Sequence, residues 1–320
     1  MSARRRIRVA HSPDADDAFM FCALAQGRIP TLGYDFEHVL ADIETLNRAA
    51  LEGRYEVTAC SIHAYAHLAD RYALLNAGAS MGEGYGPVLV ARAAPSPDAL
   101  AVGPVAVPGT LTSAYLALRL WRPDVPTVTL PFDRILDAVA GGEVPAGVLI
   151  HEGQLTYAER GLEAVVDLGE WWGERTGLPL PLGGNAIRRD LGPAVLNEVA
   201  GLVRDSILWG LEHRAEALAH ARAWGRGLTE EQASRFVGMY VNPRTLDYGP
   251  DGRLAVQRFL DEGADAGILP RRVQVEFAGV EDAAPGGDAG DEAVGQVAGP
   301  RRRDAAGRSG ARPPGVGSRR

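Results

Sequence analysis

At 320 residues the chain is long enough for about two domains, and 46% hydrophobic against 23% charged residues provides for a sizeable core. A formal charge of -8 argues against a nucleic-acid-binding body, and neither a basic amphipathic stripe nor a run of roughly 18 apolar residues is present for a membrane. All 33 basic residues are arginines, which removes lysine Schiff-base chemistry and any lysine-dependent phosphate loop.

The first residues, MSARRRIRVAHS, carry a charged head without the apolar run of an export signal, so a cytoplasmic location is expected. Within them RIRVAHS reads as a strand, followed by a helix over 16–26 that Gly27 closes. A helical pattern starts at Asp42 and stops at Gly53. YEVTACS is a second strand and runs into a helix, IHAYAHLADRY. GPVAVP precedes the helical GTLTSAYLALRLW, TVTLPF precedes DRILDAVAGGE, and AGVLIH closes the series. Strands alternating with helices imply an α/β fold with a mainly parallel sheet. Over 193–267 the pattern is mostly helical, with a Thr-Glu-Glu start at Thr229. From Glu281 onward Gly, Pro, Ala and charge replace bulky apolar residues, so 281–320 reads as a disordered tail.

Two extended, glycine-flanked pieces interrupt this order, GEGYGPVLVARA and LPLPLGGNAIRRDLG. Two crossings are what a chain needs if its middle segment forms a lobe of its own and the chain then returns. The reading is a large lobe from 1–91 plus 187–280, a small lobe over 92–186, two hinge strands and a cleft between the lobes.

Three strand ends share a feature. Ser12 follows RIRVAH, Ser61 follows EVTAC, and Thr110, Thr112 and Ser113 follow VAVPG. Each hydroxyl lies where a helix begins, and parallel strands present such ends at one edge. Together they would offer hydroxyl and N–H donors to a carboxylate or polyol, with ordinary capping as the competing reading. Gly109 would let the backbone approach a ligand closely. Asp14, Asp16 and Asp17 fit a helix start better than a metal site, since no second acidic cluster accompanies them; Asp17 can touch substrate while capping. His63 and His67 share a helix face but lack a third ligand, so they read as structural and no metal is expected. Cys22 and Cys60 form no Cys-x-x-Cys pair and read as small buried residues, and Trp171 and Trp172 as packing.

His151 is the one presumed cleft residue with an ordinary pKa near neutrality. It follows the apolar run AGVLI, where strand alternation would turn Glu152 to the opposite face. The residues alone leave proton transfer and a structural role equally open.

HSPDADDAFMF, DIETLNRAALEGRYEVTACSIHAYAH, GEGYGPVLVAR, PGTLTSAYLAL, GVLIHEGQLTY and VDLGEWWGERTGLPLPLG together resemble the 1,4-dihydroxy-6-naphthoate synthase family of the futalosine route to menaquinone. The resemblance runs from about Ile7 to Phe277 and leaves the tail without a counterpart. It implies a periplasmic-binding-protein-like (type II) fold and a carbon–carbon lyase acting on cyclic dehypoxanthinyl futalosine, a carboxylate-bearing small molecule, with no cofactor. It implies His151 as the general base. Substrate contacts fall on Ala59, Cys60 and Ser61, on Thr112, Ser113 and Ala114, and on Asn47, with Ser12 and Asp17 added from the strand-end argument. At 59 and 60 the contact is expected through backbone. The rivals are the chorismate dehydratase of the same fold and pathway, which the Ile-His-Glu block opposes, and a non-catalytic cytoplasmic ligand-binding protein.

Overall fold

The computed structural model describes residues 4–93, 100, 103–223 and 229–279; the tail expected at 281–320 lies outside the described residues. Strand β1 (Arg5–His11) sinks into the core from Val9 onward. The helix expected over 16–26 is two short ones, α1 (Ala15–Met20) and α2 (Cys22–Ala25), broken at Phe21. Strand β2 (Tyr34–Leu40) follows, then α3 (Ile43–Leu51), whose Asp42 cap accepts the Thr45 N–H. Strand β3 (Val57–Ser61) leads directly into α4 (Ile62–Leu68), and β4 (Tyr72–Leu75) and β5 (Ser80–Gly82) come next.

The middle segment holds β6 (Val88–Ala91), β7 (Val105–Val107), α5 (Ser113–Trp121), β8 (Thr127–Thr129), α6 (Phe132–Gly141) and β9 (Ala146–Leu149). A short α7 (Gly153–Thr156), β10 (Glu163–Asp167) and α8 (Leu168–Thr176) complete it. Strand β11 (Leu180–Arg188) precedes the helical end: α9 (Pro193–Glu212), α10 (Arg214–Arg222), α11 (Glu230–Tyr240), α12 (Pro243–Leu246) and α13 (Gly249–Asp265), then β12 (Phe277–Ala278). The start read at Thr229 is a full capping box, in which Thr229 and Gln232 each bond the other's backbone N–H through their side chains.

Among the described residues one sheet runs β12-β4-β11-β3-β1-β2, with β5 on β11, and a second runs β10-β6-β9-β7-β8. Both are mixed rather than mainly parallel. Strand β1 is parallel to β2 and β3, and β7 to β8 and β9, but β11 is antiparallel to β3, β4 and β5, and β6 to β9 and β10. The two antiparallel insertions are the extended pieces at which the chain passes between sheets. We infer that each sheet is the centre of one lobe, with β6 belonging to the middle segment and β11 to the first, a few residues inside the expected boundaries at 92 and 187.

The first crossing is tight. A Cβ on Gly82 or Gly169 would meet the Tyr85 carbonyl, and one on Gly86 would meet the backbone of Gly169 at 2.8 Å. A continuous apolar cluster joins Leu74 and Ile62 beside the first sheet to Val105 and Val148 of the second through Trp172 and Phe259. Trp172 is fully buried, its Nε1–H donates to the Pro179 carbonyl at 3.1 Å, and its ring meets Phe259 edge-on at 5.2 Å, so it packs rather than lids.

Candidate active site

The loop after β1 is built around its aspartates. The Ser12 N–H donates to Asp17 Oδ2 at 2.7 Å, and Ser12 Oγ accepts the Asp14 N–H at 3.2 Å. Asp14 takes the N-cap position of α1 without a side-chain cap bond, and its carboxylate reaches the other sheet instead. There Asp14 Oδ2 lies 3.0 Å from His151 Nδ1. Burial raises the Asp17 carboxyl to about 6, against the hydrogen bonds from Ser12, with Asp14 raising it further. Burial likewise raises Asp16, reinforced by Asp17 and Asp14.

His151 lies two residues beyond β9 with a left-handed backbone, φ 57°, and Phe132 packs edge-on against its ring at 4.8 Å. Burial pulls its pKa down, but the charge of Asp14, their hydrogen bond, and the nearby Glu152 and Asp16 together push it up to about 9. At neutral pH the imidazolium beside the Asp14 carboxylate is therefore the favoured form. With Nδ1 engaged by Asp14, Nε2 makes no hydrogen bond among the described residues and is the nitrogen left for a ligand.

The two sheets enclose a cavity of about 110 Å³. Ser12, Asp17, Ala59, Cys60 and Ser61 line it from the first sheet, and Thr112, Ser113, Ala114 and His151 from the second. Nine of the ten residues singled out from sequence thus meet at one place. Asn47 does not: it lies fully buried behind Ser61, its Oδ1 accepting the Ser61 N–H at 2.9 Å and its Nδ2 donating to Ser61 Oγ at 3.0 Å. Its helix turns it onto the back of β3, so it braces a wall residue rather than lining the cavity.

The expected hydroxyl lining is also reduced. Thr112 Oγ1 donates to the Gly109 carbonyl at 2.8 Å and caps the Tyr115 N–H, while Ser113 Oγ donates to the Leu182 carbonyl at 2.5 Å. With those hydroxyls engaged and the Tyr115 N–H capped, the donors α5 can turn toward a ligand are the backbone N–H groups of Ser113 and Ala114, which have no partner within the helix. Gly109 makes room for the Glu44 carboxylate rather than for a ligand, and that carboxylate accepts the Leu111 N–H at 3.3 Å. Thr110 is exposed and outside the cavity wall.

The remaining candidates are structural. His63 Nδ1–H donates to the Thr112 carbonyl at 3.1 Å, and burial lowers its pKa to about 4. Burial pushes the Cys60 thiol to about 12, which leaves it no thiolate for nucleophilic attack. Sequence reasoning missed Asp14 as the partner of His151, Gln154 beside it, and Tyr240 on the cavity wall. The only signal for Asp14 was its place in the SPDADD loop at the strand end facing the cleft.

A family model described as menaquinone biosynthesis matches residues 7–265. A Thermus thermophilus protein named 1,4-dihydroxy-6-naphtoate synthase is 45% identical over 262 residues, covering 82% of this chain and 95% of its own. A Streptomyces coelicolor protein of the same name is 36% identical over 271 residues, with the same coverage of 82% and 95%. A crystallised protein from Archaeoglobus fulgidus aligns at TM-score 0.79 and 50% identity, covering 82% of this chain and 98% of that one. The alkanesulfonate-binding protein SsuA of Xanthomonas axonopodis pv. citri aligns at TM-score 0.65 and 17% identity over 86% of this chain and 98% of that one, which speaks to fold alone: two mixed α/β sheets in the periplasmic-binding-protein manner.

Proposed function

Because the chain belongs to the menaquinone biosynthesis family, we propose that it is a lyase converting cyclic dehypoxanthinyl futalosine to 1,4-dihydroxy-6-naphthoate, with His151 as general base. The observation that carries this reading is the His151–Asp14 pair, at 3.0 Å, with His151 in the wall of the cavity and Asp14 behind it. Asp14 fixes the ring through Nδ1 and favours its protonated form, so Nε2 is the group that exchanges a proton with substrate. In its neutral form His151 removes a substrate proton, a ring opens, and a carbon–carbon bond breaks as the bicycle becomes aromatic. The imidazolium so formed, stabilised by Asp14, returns the proton to the released fragment.

The binding side follows from what the cavity offers. The first-turn N–H groups of α5 and the Ser12 and Ser61 region supply donors for a carboxylate and for sugar-derived oxygens. Ala59 and Cys60 have no polar side-chain group suited to this and contribute backbone. Shutting the cleft would exclude water around the base.

Turnover of cyclic dehypoxanthinyl futalosine by purified protein, with chorismate as the comparison substrate, tests the activity. His151→Asn is expected to bind that substrate and lose about 10²–10⁴-fold in kcat. Turnover of chorismate alone would make the protein the dehydratase. Binding of the futalosine derivative with no turnover by the native chain would make it a ligand-binding protein.

A further inference from the structure

His151 has one of two positive-φ backbones outside glycine among the described residues, the other being the exposed Leu32. A left-handed conformation is unfavourable for a residue with a Cβ and persists where its surroundings hold it. Two hydrogen bonds do so, and both come from one residue. The Gln154 backbone N–H donates to the His151 carbonyl at 3.2 Å. With its amide turned to satisfy all its neighbours, Gln154 Oε1 accepts the His151 N–H at 3.3 Å. In that orientation Gln154 Nε2 donates to the Gly86 carbonyl at 2.9 Å and to the Tyr240 hydroxyl at 2.8 Å.

These anchors lie on separate parts of the fold. Gly86 belongs to the tight crossing between the sheets, and Tyr240 ends α11 in the helical region packed on the first sheet. Tyr240 in turn packs edge-on against Tyr85 at 5.8 Å, and the Tyr85 hydroxyl donates to the Met239 carbonyl. One residue therefore holds both the N–H and the carbonyl of His151, and its side-chain amide ties the N–H side to the crossing and to the opposite wall of the cavity.

We propose that Gln154 is a positioning residue for His151, clamping its left-handed backbone against Gly86 and Tyr240 so that the ring meets Asp14. This rests on the reading of His151 as the base. Without the clamp the His151 backbone relaxes toward ordinary φ, the ring swings from Asp14, and its proton is held less tightly. Gln154→Met keeps the length of the side chain and its main-chain bond to the His151 carbonyl, and removes the side-chain bonds to the His151 N–H, Gly86 and Tyr240.

The test is steady-state kinetics of Gln154→Met on cyclic dehypoxanthinyl futalosine, together with titration of the His151 ring by NMR in the full chain. The expected result is a kcat lowered about 10- to 100-fold, as for a displaced catalytic group, with KM within about twofold and a ring pKa moved down from about 9. Tyr240→Phe, which removes one anchor and leaves the amide, should shift both readouts the same way by less, and it serves if Gln154→Met does not fold. An unchanged kcat and ring titration in folded Gln154→Met overturns the proposal. So does a raised KM with kcat and titration unchanged, which would make Gln154 a substrate contact. His151→Asn run in parallel separates the two readings: full activity there sinks the base, whereas an inactive His151→Asn beside a native-like Gln154→Met sinks only the clamp.

Discussion

Strand β1 ends on a buried histidine and β9 leads two residues on to a part-buried one, yet the two imidazoles hold protons in opposite ways. His11 ends β1, its Nδ1–H donates to the Ser12 carbonyl at 2.9 Å, and its Nε2 meets His38 Nδ1 at 3.1 Å. Burial dominates there and lowers its pKa to about 4. His151 is part-buried, but its partner is a carboxylate, and its pKa is raised to about 9. Desolvation disfavours the imidazolium at both places. The difference is made by a full negative charge at 3.0 Å, where His11 has only a carbonyl dipole and a neutral ring. A histidine at a strand end is therefore chemically undetermined until its neighbour across the fold is known.

The contrast is most sharply tested at Asp14. Asp14→Asn should bring His151 down from about 9 toward its ordinary 6.5, since burial would then be opposed only by the charges of Glu152 and Asp16. A general base works deprotonated, so native kcat/KM is expected to rise with pH until about 9, while the variant levels off near pH 6.5. Above pH 9 the variant should still be about 10–100-fold slower, because its ring is no longer oriented. A rising limb that stays in place would break the comparison. The same pair has a thermal signature. The raised pKa of His151 contributes stability in full below pH 6.5 and loses it as pH climbs through about 9, so the native melting temperature should fall across that window.

A smaller effect is expected at Asn47. Asn47→Leu strips two bonds from Ser61, leaving a buried N–H unpaired, and should cost about 1–3 kcal/mol, seen as a melting temperature lowered by several degrees. If Asn47 touched substrate instead, KM would move and stability would not. The smallest belongs to the other histidine pair. His38→Leu removes the partner of His11 Nε2 and should cost about 1 kcal/mol in a denaturant titration while the rising limb of the pH–rate profile stays where it is.

Local patterning carried much of the architecture. AGVLIH, VAVPG and EVTACS announced three strand ends, and those ends do line one cavity. Thr229 could be read as a helix start from the acidic residues that follow it, and the structure adds Gln232 as its capping partner. What escaped was decided at long range. Nothing around Asp14 says that its carboxylate leaves its own helix for a ring on another sheet. Asn47 lies on an amphipathic helix, and a helical pattern gives the buried face without saying whether that face meets a ligand or the back of β3. The sheets read as mainly parallel because alternation with helices is the parallel signature; β6 and β11 are crossing strands, and direction of travel between sheets leaves no mark on composition. Thr112 and Ser113 were correctly placed at the wall, but hydroxyl orientation depends on which carbonyls stand nearby.

Asp14 follows a strand of one sheet and His151 a strand of the other, so one hydrogen nucleus is shared between the ends of two sheets. An excursion that parts them must return the imidazole toward its ordinary 6.5, and between that value and about 9 it discharges H⁺ into the buffer. Acidification toward 6.5 therefore favours the closed pair, and alkali above about 9 loosens it. The heat of any such opening would vary with the ionisation enthalpy of the buffer chosen to measure it.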